Sequence, residues 1–126
     1  MEENPELRAV TEKMLESIRK EYGFVPVVNQ VMSERPDVFV PMANVGKAVL
    51  EKGVLEKKQK YLCALSAATA LAGEYCIDVQ MRQAMAAGAT KDEIFEAIMV
   101  GSYMAMTRSE SYAFRKFAKN YGIDLE

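Results

Sequence analysis

The chain contains no histidine and no tryptophan, and only two of its 126 residues are cysteine. Without histidine it lacks the commonest general base near neutral pH, the commonest zinc ligand, and every Ser/His or Cys/His pair. Catalysis, if present, has to run on Cys, Tyr, Lys or a carboxylate. Two cysteines are too few for a disulfide framework and fit a reducing cytoplasm, which is the expected compartment. Neither sign of charge dominates: 16 Lys and Arg stand against 18 Asp and Glu, a net charge of -2. That balance makes no electrostatic case for a nucleic-acid partner or a membrane surface. The longest uncharged apolar run, from Tyr61 to Gly73, is too short and too rich in alanine to span a bilayer. No charged-then-apolar leader opens the sequence, so no secretion signal is expected. No spacing reads as a metal site, a phosphate loop or a nucleotide fingerprint, and no cofactor is expected.

What is present is helical. The length suits one domain over residues 1–126 with a modest core, and half of the residues are apolar. Asn4 and Pro5 read as the cap and first residue of a helix that carries Leu7, Val10, Met14, Ile18 and Tyr22 and stops at Gly23. A short helix follows near 26–34. Pro36 starts another, expected to bury Val38, Phe39, Met42, Val45 and Val49 and to end at Gly53. A fourth helix covers 57–72, Gly73 interrupts, and a fifth runs over 74–87 to Gly88, so the two should pack as a hairpin with Cys76 near its junction. Thr90 and Glu93 form a capping box, each side chain meeting an orphan amide of the first turn. The helix they open has a stripe of mostly small residues, Ile94, Ala97, Ile98, Gly101 and Ala105, suited to close packing. A last helix is placed near 109–121. No segment alternates as a strand does, so the fold class is all-α.

The stretch "GEYCIDVQ" (73–80) holds the chemistry. Cys76 falls in the first turn of its helix, where unpaired amides favour negative charge. Gln80 lies one turn on and can hydrogen-bond a thiolate or a bound oxygen, but it cannot take a proton at neutral pH. A buried, inert Cys76 is the competing reading, and for Cys63, among Ala, Leu and Ser, a buried structural place is expected. Tyr61 could donate a hydrogen bond toward Cys76 or could simply fill volume. The nine methionines read as core packing, with an apolar ligand cavity as the alternative. Arg82 and Arg108 read as a solvated face or ion pairs, with a clamp for an acidic ligand as the alternative.

The sequence "GEYCIDVQMRQAMAAGATKDEIFEAI", with its lead-in from Gly23, resembles the carboxymuconolactone decarboxylase and alkylhydroperoxidase D-like family over about residues 23–122. That resemblance implies a helical bundle of about six or seven helices, assembled as a trimer or hexamer. It also implies thiol-dependent peroxide reduction, a peroxiredoxin-type antioxidant oxidoreductase activity. In the peroxidase branch, a CxxC pair cycles through a disulfide while a histidine and an acidic residue handle protons. Carried over, the second cysteine is Cys76, the first falls on Gly73, the histidine on Gln80 and the acid on Tyr61. The resemblance thus implies a one-cysteine site of Cys76 with Gln80 and Tyr61 orienting a small peroxide, with weak activity or none. Two alternatives remain open: a non-enzymatic module for binding an apolar ligand or for assembly, and a carboxymuconolactone decarboxylase-like enzyme.

Overall fold

The computed structural model describes residues 4–126 and contains, among them, six α-helices and no strand. The chain divides into two compact units, Met1–Leu55 and Glu56–Glu126.

The first unit holds α1 (Pro5–Tyr22), α2 (Val27–Met32) and α3 (Pro36–Glu51). Asn4 caps α1 as its sequence predicts, its side-chain oxygen accepting from the Glu6 amide at 2.9 Å and the Leu7 amide at 3.3 Å. Gly23 ends the helix in the left-handed region, φ 80°, where a side chain would be strained. The short α2 is tied in by polar bonds rather than by burial. Gln30 Nε2 donates to the Val25 carbonyl at 2.7 Å, and Arg8 Nη1 donates to the Ser33 carbonyl at 3.2 Å. Arg35 forms a bidentate pair with Asp37 at the start of α3, and the guanidinium holds that carboxyl below its usual range.

Phe39 is the buried anchor of this unit, 1% exposed. The rest of the face expected to be buried on α3 is not: Val38, Met42, Val45 and Val49 are 42–61% exposed. Within the unit α3 packs only on α1 and α2, and α2 is six residues long. Two helices, one of them under two turns, cannot cover a full apolar stripe. They leave a hollow of about 290 Å³ whose walls include Met14, Ile18, Met32, Phe39 and Met42.

The second unit holds α4 (Lys57–Ala70), α5 (Glu74–Ala86) and α6 (Lys91–Tyr121), with α4 packed on both of the others. Its core is made of Tyr61, Leu65, Ala68, Val79, Ala84 and Ala118. The small stripe of α6 does what its composition suggests. A Cβ built on Gly101 would fall on the Ser66 carbonyl and lie 3.0 Å from its carbon, so the two backbones touch. Thr90 and Glu93 form the capping box read from sequence. A second box, between Glu56 and Gln59, opens α4. Lys58 Nζ reaches Glu93 Oε1 at 3.0 Å and joins the starts of α4 and α6. The amide of Thr90 and the Lys58 ammonium hold the Glu93 carboxyl below its ordinary range.

The largest difference from the sequence reading lies near residue 109. The helix expected to begin near 109 is the continuation of α6, which runs unbroken for 31 residues. No glycine or proline stands between Met104 and Ser111, and the Thr107 hydroxyl donates to the Met104 carbonyl at 3.1 Å without breaking the ladder. No helix of the described residues is long and apolar enough to cross a membrane.

Candidate functional site

The hairpin junction between α4 and α5 is a complete helix stop made by backbone alone. The Gly73 amide donates to the Ala68 carbonyl at 3.0 Å and the Ala72 amide to the Thr69 carbonyl at 3.1 Å, the bond pair of a Schellman motif. The residue in the left-handed position is Ala72, φ 56°, the only described non-glycine with positive φ. Glycine normally occupies that place, because Cβ costs about 1 kcal/mol there. The break that the sequence assigns to Gly73 is therefore made one residue earlier. No sequence signal marks Ala72, since alanine is an ordinary helix former and the nearby glycine draws the assignment.

Gly73 itself, at φ -81° and ψ 89°, has a backbone any residue can adopt. A Cβ built there stands 3.4 Å from Cys76 Cβ and 3.9 Å from Cys76 Sγ. Cβ atoms joined through a disulfide lie about 3.5–4.5 Å apart. The backbone thus holds positions 73 and 76 at nearly the separation a dithiol pair needs, with a sulfur on one side only.

Cys76 is a free thiol and exposed. It lies in the first turn of α5, whose cap residue Gly73 has no side chain to satisfy the orphan amides. Gln80 is one turn further along the same face. Its Oε1 is buried and has no hydrogen-bond partner. An acceptor withdrawn from water without a donor costs free energy, and a bound molecule carrying an O–H or N–H would relieve that cost.

Tyr61 is 3% exposed, and the Lys57 ammonium lies 5.8 Å from the centre of its ring. Along α4 it stands seven residues before Ala68, which sits beside the junction, a rise of roughly 10 Å. Glu74 is exposed in the first turn of α5, and Arg82 pairs with Asp78 at 3.2 Å on the outer face. Arg108 is exposed too. Cys63 departs from expectation: it is exposed, not buried. Leu65 and Tyr61 take the inward positions of α4 and rotate Cys63, two residues from each, to the outside. No group of three or more His, Cys, Asp or Glu among the described residues could hold a metal ion.

A model of the carboxymuconolactone decarboxylase family matches residues 36–119, from the start of α3 to near the end of α6. No curated protein matches the chain, and no solved structure does.

Proposed function

Because the chain belongs to the carboxymuconolactone decarboxylase family, we propose that its α4–α5 junction is a thiol peroxidase site reduced to one cysteine, with weak turnover. The observation that carries this reading is the geometry at Gly73, whose Cβ would stand 3.4 Å from that of Cys76. A scaffold shaped for two sulfurs has one.

In this reading the Cys76 thiolate attacks the terminal oxygen of a small hydroperoxide, and the O–O bond breaks. Cys76 becomes a sulfenic acid, and the alkoxide leaves as an alcohol after taking a proton from water. One external thiol condenses with the sulfenic acid, releasing water and forming a mixed disulfide. A second external thiol then displaces Cys76 and restores it. Gln80 Oε1 accepts from the hydroperoxide O–H and orients it. Because Gln80 cannot transfer the proton, the step lacks general acid catalysis, typically worth a hundredfold or more. A reducing cytoplasm would supply the thiols. The protein would work as a homo-oligomer, a reading supported by its large exposed apolar residues on α3 and α6. Those surfaces also favour a second reading, in which the scaffold serves assembly or ligand binding and the thiol is retired.

The test is peroxide consumption with a small dithiol as reductant. Slow turnover that disappears in Cys76→Ser, and that rises in Gly73→Cys with formation of a 73–76 disulfide, supports the site. Equal, negligible rates in the native protein and Cys76→Ser reject it in favour of the assembly reading.

A further inference from the structure

We infer that the hollow between α1, α2 and α3 binds a neutral amphipathic molecule of the medium-chain alcohol class, with roughly ten non-hydrogen atoms. The site belongs to the unit ending at Leu55 and is independent of the thiol reading.

The first observation is Gly46, inside α3 and in the wall of the hollow. Glycine is the poorest helix former apart from proline, so its place within a helix has a reason elsewhere. Two reasons are ordinary: a positive φ, or a neighbouring backbone too close for a side chain. Gly101 has the second, since a Cβ there would fall on the Ser66 carbonyl. Gly46 has neither. It is not among the described residues with positive φ, and a Cβ built on it meets nothing within 4 Å. What its missing side chain does is leave the hollow open.

Size and lining select the occupant. Phe39, buried, shares the wall with Met14, Met32 and Met42, whose thioether chains adapt to the shape of what they touch. Apolar walls with a few polar groups are the ordinary lining of a small-molecule site. An apolar cavity of about 150 Å³ takes one benzene. The hollow here has about 290 Å³. Part of that space lies at its mouth, where Val28 and Met42 are 65 and 51% exposed, so an alkyl chain fits better than a second ring.

The head group follows from the polar part of the lining, which is Ser17, Glu21, Asn29 and Lys47. Its two charges have opposite signs, so an acidic head meets Glu21 and a basic head meets Lys47, and neither gains net attraction. A neutral hydroxyl avoids both conflicts and finds hydrogen-bonding groups in the Ser17 hydroxyl and the Asn29 amide.

The experiment is a titration of 1-nonanol into the full chain with isotope-labelled methionine methyls, read by nuclear magnetic resonance. Nonanoate and nonylammonium are the charged comparisons. The methyl signals of Met14, Met32 and Met42 should shift saturably, with a dissociation constant on the order of 0.1 mM for the alcohol. Met81 and Met99, in the other unit, should stay in place. Gly46→Leu grows a side chain into the open space and should weaken binding roughly tenfold or more while keeping the far-ultraviolet helical signal. The titration of the wild type needs no substitution and stands whether or not that variant folds. No saturable shift, or equal shifts at Met81 and Met99, overturns the site. So does a folded Gly46→Leu that binds as the wild type does. Tighter binding of either charged comparison overturns the neutral head. Shifts at Met14, Met32 and Met42 that follow protein concentration without any alcohol show a second copy in the hollow, which overturns the ligand.

Discussion

The two units build helical cores by opposite means. Residues 56–126 use small side chains: Gly101 meets the Ser66 carbonyl, Ala68 and Ala84 are buried, and capping boxes fasten the starts of α4 and α6. The unit ending at Leu55 uses long flexible ones, with a single buried ring, Phe39, beside a methionine-walled hollow. Backbone contact fixes one register and tolerates no added atom. Methionine packing adapts to irregular space and tolerates many. The candidate thiol site lies in the first kind of environment, where positions 73 and 76 are held to a narrow geometry by the Schellman turn.

Substitution of one helical glycine in each unit exposes the contrast. Gly101→Ala drives a methyl into a neighbouring backbone that cannot rotate away, and should destabilise the second unit by about 3 kcal/mol in chemical denaturation. A loss under about 1 kcal/mol would show that α4 and α6 slide apart easily, which would weaken the contrast. Within the same unit, Ala72→Gly removes the left-handed strain and should stabilise by about 1 kcal/mol. If stability falls instead, Ala72 has a packing role that outweighs its backbone. In the first unit Gly46→Ala meets nothing within 4 Å and gains helix propensity, so denaturation should show a stabilisation of about 0.7 kcal/mol.

The smallest effect is electrostatic and belongs to the second unit. The folded state lowers the affinity of Glu93 for protons through the Thr90 amide and the Lys58 ammonium. Its stabilisation is present above the ordinary carboxylate range and is lost as pH falls through the lowered value. Glu93→Gln should flatten the acid limb of the stability profile, with less change at neutral pH. An unchanged acid limb would mean that the half-buried Lys58–Glu93 pair contributes nothing measurable.

Much of the fold was legible because helix punctuation is local. Asn4, Gly23 and the Thr90–Glu93 box each act on amides or carbonyls within one turn, so spacing alone reveals them. The same locality misled at Gly73, where the left-handed residue is its neighbour. It misled again near 109, where a separate last helix was placed and the backbone makes no break. Burial on α3 was misjudged for a different reason, since periodicity says which face is apolar and not whether anything covers it.

The sequence by itself determined the all-helical class, the helix starts and the identity of the groups available to chemistry: one thiol in a first turn, a glutamine one turn on, and no histidine. Those properties depend on residue type and short-range hydrogen bonding. The tertiary structure decided that Cys63 faces outward, that Gln80 Oε1 is buried without a donor, that Gly73 and Cys76 stand nearly at disulfide distance, and that α6 carries an uncovered aromatic face. These follow from how helices are rotated and brought together, which is set by contacts between residues far apart in the chain.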